Sequence, residues 1–120
     1  MKFMIIMHMN PAVWDALPEE RRQAVMDGHG PLLKHITESG ELVSTHALGD
    51  PSASATVRVR GGVPAVTDGP YLEAKEFLAG YYVVDCESVE RAVELAAQIP
   101  DARYTAIEVR PVMDEGGGEL

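Results

Sequence analysis

The order of predicted elements in this 120-residue chain indicates an α+β domain. Two runs, 2–9 and 77–84, are apolar on both faces of a strand, whereas the other predicted strands and both main helices are amphipathic or half-polar. From the N-terminus the elements read strand, helix, strand, hairpin, strand, helix, strand. Without the hairpin, this order is the split βαβ pattern of ferredoxin-like folds.

The positions of the apolar strands support this topology. In a ferredoxin-like sheet the first and third strands are central, and 2–9 and 77–84 occupy those places. The last strand, 106–110, alternates polar and apolar residues, as suits an edge strand. Because both helices cover one sheet face, either the inserted hairpin or a second subunit must cover the other face. We expect a homodimer that packs sheet face to sheet face.

The first long helix is predicted from 18 to 39, after a short turn or helical lead-in at 12–17. Pro18 suits the first helical position, and two glutamates follow where the helix dipole favours anions. Gly40 can end the helix in the left-handed conformation. Two glycines and Pro31 interrupt the pattern, which predicts a kink or break. One helix face carries the predicted core stripe: Val25, His29, Leu33 and Ile36.

The remaining elements are shorter. A strand is predicted at 42–48, and strands at 56–60 and 63–67 form a hairpin around a glycine pair. Ser88 caps a helix over 89–99. That helix is expected to bury four residues: Val89, Ala92, Val93 and Ala96. We assign 1–113 to a single domain and 114–120 to a flexible, Gly-rich acidic tail.

The composition excludes several classes of function. A net charge of −9 argues against a nucleic-acid surface and against docking on anionic lipid. The apolar N-terminal run is too short for a membrane span and lacks a cleavage site, so no secretion signal is expected. One cysteine, Cys86, rules out an intrachain disulfide and favours a cytoplasmic location.

The run Asp68-Gly69-Pro70-Tyr71 is the most informative local motif. It has the composition of a turn, in which aspartate accepts a backbone hydrogen bond, glycine tolerates unusual φ and proline fixes the exit. Alternatively, the turn holds Asp68 rigidly at the mouth of a cleft. A carboxylate held in that way can orient a histidine or take up a proton.

The same motif carries a family resemblance. Residues 67–76 read TDGPYLEAKE and are followed by GYY at 80–82; together they resemble the signature of the YCII-related proteins of the DGPF type. The segments 56–60, 109–113 and 18–21 are also similar to that family, so the resemblance covers roughly residues 2–113. The family usually has Phe at position 71 and Thr or Ser near 74. The resemblance implies a ferredoxin-like subunit that forms a dimeric α+β barrel.

The resemblance also implies a site. By position, His29 and Asp68 would form a catalytic acid/base pair in which Asp68 holds the tautomer and His29 moves the proton. Lys75 would hold an anionic group of the substrate, and Tyr71 and Tyr81 would line a small aromatic cavity. The competing interpretation is that His29 is a satisfied core histidine and that the tyrosines and Lys75 have ordinary structural roles.

Cofactor and metal sites have little support in the sequence. The chain has no glycine-rich phosphate loop after a strand and no Gly-x-Ser-x-Gly elbow. His29 and His35 are six residues apart and do not face each other, while His8 and His46 lie on different strands. The alternative is a metal site assembled from His8, His46 and distant carboxylates. We expect neither a metal nor another cofactor.

Three functions remain open. The first is a cofactor-independent enzyme that uses the histidine–aspartate pair on a small metabolite. The second, implied by the resemblance, is a non-catalytic ligand-sensing or protein-interaction module associated with sigma-factor regulation, with a sigma factor as a candidate partner. In the third, His29 and Asp68 only join the helix to the hairpin.

Overall fold

The computed structural model describes residues 1–71, 74–114 and 116, so the predicted tail at 114–120 lies largely outside the described residues. The strands are β1 (Lys2–Met9), β2 (Leu42–Ala47), β3 (Ala55–Arg60), β4 (Val63–Asp68), β5 (Phe77–Asp85) and β6 (Ile107–Pro111). The helices are α1 (Pro11–Ala16), α2 (Glu19–Glu38) and α3 (Val89–Ala97), with 3₁₀ turns at Pro51–Ala53 and Pro100–Arg103.

The main sheet has the strand order β2-β5-β1-β6, with β3 and β4 forming a separate hairpin. β1 pairs antiparallel with both β5 and β6, so Ile5 lies between Tyr82 and Val109. The two strands that are apolar on both faces are therefore central, as predicted. The α+β class and the ferredoxin-like arrangement are confirmed.

α2 runs through Pro31 without interruption, so the predicted break is wrong. Proline cannot donate to the carbonyl of Asp27, but Pro31 and Asp27 are both exposed and water can satisfy that carbonyl. Pro18 immediately precedes the helix and its carbonyl accepts from the amides of Arg21 and Arg22, while Gly40, with φ of 80°, follows the helix end. Within the described ranges, no helix combines the length and apolar character needed to cross a bilayer.

The hydrophobic core lies between the sheet and helices α2 and α3. β1 and β5 contribute side chains from one sheet face, and the helices contribute the opposing layer: Phe3, Ile5, Met7, Tyr82, Val84, Leu32, Ile36, Ala92, Leu95 and Ala96. In α3 the prediction was partly wrong, because Val89 and Val93 are 45% and 53% exposed. The buried side of α3 instead includes Leu95, and Ile99, just after the helix, is buried as well.

The second face of the sheet is not covered by the hairpin. We call this the open sheet face; its central side chains are Met4, Ile6, Tyr81 and Val83. The molecule is only 19 Å thick along its shortest axis, which corresponds to one sheet and one helix layer. The hairpin was one of the two elements expected to cover this face. In the structure it does not pack there, and its valines are exposed.

Candidate functional site

His29 lies between two polar partners at the interface of α2 with the sheet. Its Nδ1 is 2.6 Å from the hydroxyl oxygen of Tyr82, and its Nε2 is 2.6 Å from Oδ1 of Asp101. Tyr82 belongs to the central strand β5, and Asp101 to the 3₁₀ turn after α3. The rings of His29 and Tyr82 stack with centroids 5.9 Å apart. Three separate elements therefore meet at one imidazole.

The hydrogen-bonding capacities of the three groups allow one directed arrangement of protons. Burial, together with the negative charge of Asp101, raises the pKa of Tyr82 to about 12, so its hydroxyl stays protonated at neutral pH. A protonated phenol can donate to Nδ1 of a neutral imidazole. Nε2 then carries the remaining ring proton and donates it to the Asp101 carboxylate. The result is a directed chain from Tyr82 through His29 to Asp101.

The three groups differ in their access to solvent. Tyr82 as a whole is 3% exposed, and the Asp101 side chain is 10% exposed, whereas the His29 side chain keeps 25% of its surface exposed. The buried carboxylate can orient the ring without meeting a substrate. His29 is the member of the group that can exchange a proton with a molecule from outside.

A close contact between α2 and the 3₁₀ turn positions the pair. A Cβ added at Gly28 would lie 2.5 Å from Cγ of Pro100, so only glycine permits this approach. Gly28 and Pro100 each immediately precede a member of the pair, His29 and Asp101. The glycine that interrupts the helical pattern is thus the residue that lets His29 reach its carboxylate.

Asp68 does not take the expected place within the chain. It is the last residue of β4, is exposed, and lies opposite Ala55 in the hairpin register. Tyr82 and Asp101 engage both ring nitrogens of His29. Asp101 therefore occupies the orienting position that sequence reasoning gave to Asp68.

The turn that follows Asp68 closes the base of the hairpin. Gly69 has φ of 94°, and its amide donates to the carbonyl of Ser54 at 2.7 Å. The Thr56 hydroxyl donates to the Gly69 carbonyl at 2.8 Å, and the Arg58 guanidinium lies 4.9 Å from the centroid of the Tyr71 ring. We call these three contacts the clasp. They give the motif a clear structural role as a turn.

The predicted substrate-binding residues do not gather around His29. Tyr71 is 64% exposed and packs beside Arg58, and Lys75 is exposed shortly before β5. Tyr81 alternates with Tyr82 along the strand, so it lies on the open sheet face, where its ring is 5.4 Å from that of His46. A substrate-binding role for these three residues stays a prediction.

Two solvent-open cavities lie next to the clasp rather than at the His29 group. The larger, of about 600 Å³, is lined by seven residues: Ser54, Ala55, Thr56, Val57, Arg58, Pro70 and Tyr71. The smaller, of about 390 Å³, is also lined by seven: Pro11, Asp50, Pro51, Pro70, Ala74, Glu76 and Phe77. In the described part of the chain, no three histidine, cysteine or acidic side chains lie close enough to hold a metal ion.

Sequence reasoning missed Tyr82 and Asp101. Tyr82 stands within the GYY segment. Because this strand is apolar on both faces, the sequence pattern predicts that Tyr82 is buried but does not indicate a polar partner for its hydroxyl. Asp101 follows the Ile99-Pro100 pair that ends α3, and an aspartate there is an ordinary turn residue. The one available signal is Gly28, the glycine before His29, because a glycine inside a helix can mark a close neighbour.

Comparison with known proteins agrees with this architecture. The profile of the YCII-related domain matches residues 1–115. An uncharacterised protein from Rhizobium meliloti (strain 1021) is 31% identical over 122 residues, which cover 100% of this chain and 98% of the relative.

Proposed function

We propose that this chain, which belongs to the YCII-related domain family, is a small cofactor-independent enzyme that moves a proton on a small metabolite. His29 acts as the acid/base. Asp101, rather than Asp68, orients its ring, and Tyr82 is the hydrogen-bonding partner on the other nitrogen.

The observation that carries this proposal is the pair of 2.6 Å contacts that fix both His29 nitrogens. A carboxylate on one nitrogen selects the tautomer and stabilises the imidazolium that forms when the ring gains a proton. The His29 side chain is 25% exposed and the Asp101 side chain only 10%, which matches a reacting group and the carboxylate that supports it.

The proposed proton transfer uses groups already in place. A substrate with an acidic C–H next to a carbonyl displaces the Tyr82 hydroxyl from Nδ1, and Nδ1 takes the proton while Nε2–H remains bonded to Asp101. The released Tyr82 hydroxyl donates to the enolate oxygen that develops. Return of the proton to a different carbon completes an isomerisation, and departure of a leaving group completes an elimination.

Hydrogen–deuterium exchange tests this function without a known substrate. The protein is incubated in D₂O with a panel of small carbonyl compounds, and loss of C–H signals is followed by proton NMR. General acid–base catalysis contributes about 10²–10⁴-fold, so His29→Gln should slow exchange by at least about 100-fold. His35→Gln, which changes an exposed histidine on the same helix, is the matched control and should retain the wild-type rate.

Two results would overturn the enzymatic proposal. One is exchange no faster than in buffer for every compound in the panel. The other is a His29→Gln variant that exchanges as fast as wild type, since the ring would then have no part in the proton transfer.

The sheet-to-sheet homodimer is part of the same proposal. The open sheet face presents half-buried Met4, Tyr81 and Val83 around buried Ile6, with both helices on the opposite side. A second copy would cover these side chains. A cytoplasmic location is also proposed, and the free, buried thiol of Cys86 agrees with it.

The alternative is a ligand-sensing or protein-interaction module associated with sigma-factor regulation. One observation favours it: both of these cavities border Pro70 in the turn after β4, and neither is lined by His29, Tyr82 or Asp101. Such a module would show no exchange activity. It would instead bind a ligand, or a sigma factor in a pull-down, and a His29→Gln variant that retained its fold would still do so.

A further inference from the structure

The β3–β4 hairpin has two unlike faces. Its cross-strand register pairs Val57 with Val66 and Val59 with Pro64, and these four residues share one face. The other face carries the polar and charged side chains together with small or apolar ones: Thr56, Arg58, Arg60, Val63, Ala65 and Thr67. We call the face formed by Val57, Val59, Pro64 and Val66 the valine face. An alternation of this kind is what a ribbon needs when one side is to be covered.

The valine face is uncovered within the chain. Val57, Val59 and Val66 are 60%, 66% and 63% exposed. A two-stranded hairpin alone is at best marginally stable in water. Three exposed valines on one side of it form an apolar patch that is unusual on the surface of a monomer. The chain's radius of gyration of 16.6 Å exceeds the about 14 Å of a compact domain of this length, in agreement with a projecting arm.

The clasp leaves this particular face open. Thr56 bonds to Gly69 and Arg58 covers Tyr71, so the turn after β4 folds back onto the polar face. With the Gly69 amide bonded to Ser54, the base of the hairpin is held from one side. The valine face is thus presented in a fixed direction rather than exposed by a loose loop.

The chain itself supplies a matching surface. Each copy carries both an apolar ribbon and an open sheet face, and a two-fold interface would cover both kinds of surface in both copies at once. Arg58 and Arg60 lie on the opposite face of the hairpin, so the four residues of the valine face carry no charge that would oppose burial against a second copy.

We propose that the β3–β4 hairpin is a dimerisation arm whose valine face packs on a second copy of this chain, at the rim of that copy's open sheet face. The clasp sets the angle of the arm. This inference rests on the homodimer proposed above but not on the proposed chemistry of His29.

Matched lysine substitutions on the two hairpin faces test the arm. Val66→Lys places a charge on the valine face, and its neighbour Thr67→Lys places the same charge on the polar face. In sedimentation equilibrium, Val66→Lys should raise the dimer dissociation constant by at least about 30-fold, the size of an interface hot spot. Thr67→Lys should change it by less than about 3-fold, with far-UV circular dichroism confirming that both variants fold.

A third variant separates failure of the arm from failure of the dimer. Val83→Lys charges the open sheet face without touching the hairpin. If Val83→Lys dissociates the dimer and Val66→Lys does not, the arm is refuted and the sheet-face dimer stands. A wild-type chain that remains monomeric at high micromolar concentration refutes both and points to a different protein as the occupant.

Crosslinking gives a readout that needs no disruption of the interface. Val59→Cys carries a thiol-reactive benzophenone, while Cys86 is buried. Illumination should yield a dimer-sized product whose crosslinked peptide comes from the main sheet of the second copy. The same label at Arg60→Cys, on the opposite face, should give much less. Equal yields from the two positions would contradict the proposed orientation of the arm.

Discussion

Two histidine–carboxylate pairs lie on opposite faces of the same sheet. On the helix-covered face, Nε2 of His29 is 2.6 Å from Asp101; on the open face, Nε2 of His8 is 3.0 Å from Glu108. The groups are chemically the same. Their surroundings differ, because the Asp101 side chain is 10% exposed and the Glu108 side chain is 38% exposed.

The third partner also separates the pairs. Glu108 accepts hydrogen bonds from both His8 and Arg110, and these bonds lower the pKa of its carboxyl group. Its charge is therefore shared with a permanent cation. Asp101 faces His29, whose other nitrogen meets the Tyr82 hydroxyl. Enclosure and the uncharged Tyr82 hydroxyl as third partner, rather than the histidine–carboxylate pair itself, make the His29 group a candidate for acid–base chemistry.

The largest predicted effect comes from truncating the enclosed carboxylate. Asp101→Ala leaves the buried side of His29 without an acceptor and should lower the free energy of unfolding by about 2–3 kcal/mol. The melting temperature should fall by roughly 8–12 °C. Glu108→Ala, the matched change on the open face, should lower the stability much less, because exposed ion pairs contribute little. Calorimetry measures both, and equal losses would remove the distinction between the two pairs.

A smaller effect is expected from the glycines beside His29. Gly28→Ala brings a Cβ to 2.5 Å from Pro100 Cγ, and separating α2 from the turn should cost about 1–2 kcal/mol. Gly30→Ala meets nothing within 4 Å and should stabilise the helix by about 0.5–1 kcal/mol. Urea denaturation measures both changes. If Gly28→Ala were also stabilising, the close contact would have no part in positioning His29.

The smallest effect appears in acid and extends the comparison to a third carboxylate. Glu41 accepts two hydrogen bonds from Arg91, at 2.9 and 2.8 Å, which lower its pKa from 4.5 to about 2. Because the folded pKa is depressed, the associated stability is present above pH 4.5 and is lost as the pH falls towards 2. Glu41→Gln should therefore flatten the dependence of melting temperature on pH in that window. Glu108→Gln, at the more exposed carboxylate, should flatten it less.

Much of the fold could be predicted from the sequence because it depends on short-range patterns. The doubly apolar runs identify β1 and β5 as central strands, and Ser88 marks the start of α3 through its side-chain bond to the Arg91 amide. Pro31 was misleading. Its effect depends on whether the Asp27 carbonyl can reach water, and the exposed position of that helix turn decides this.

The candidate site was only half predictable. His29 stands out on an apolar helix face, but the sequence separation between it and Asp101 is 72 residues, and no local rule links them. The conspicuous motif instead drew attention to Asp68, whose turn closes the hairpin. A motif records that a local conformation is required, and it does not specify which distant group lies opposite a given side chain.

By itself, the sequence determined the strand order, the start of α3 and the turn at Asp68-Gly69-Pro70-Tyr71, because alternation, capping and turn chemistry act over a few residues. Only the tertiary structure decided that Tyr82 and Asp101 enclose His29 and that the valine face of the hairpin is left uncovered. Those outcomes depend on how α2 packs against the turn after α3, where one absent Cβ at Gly28 sets the distance.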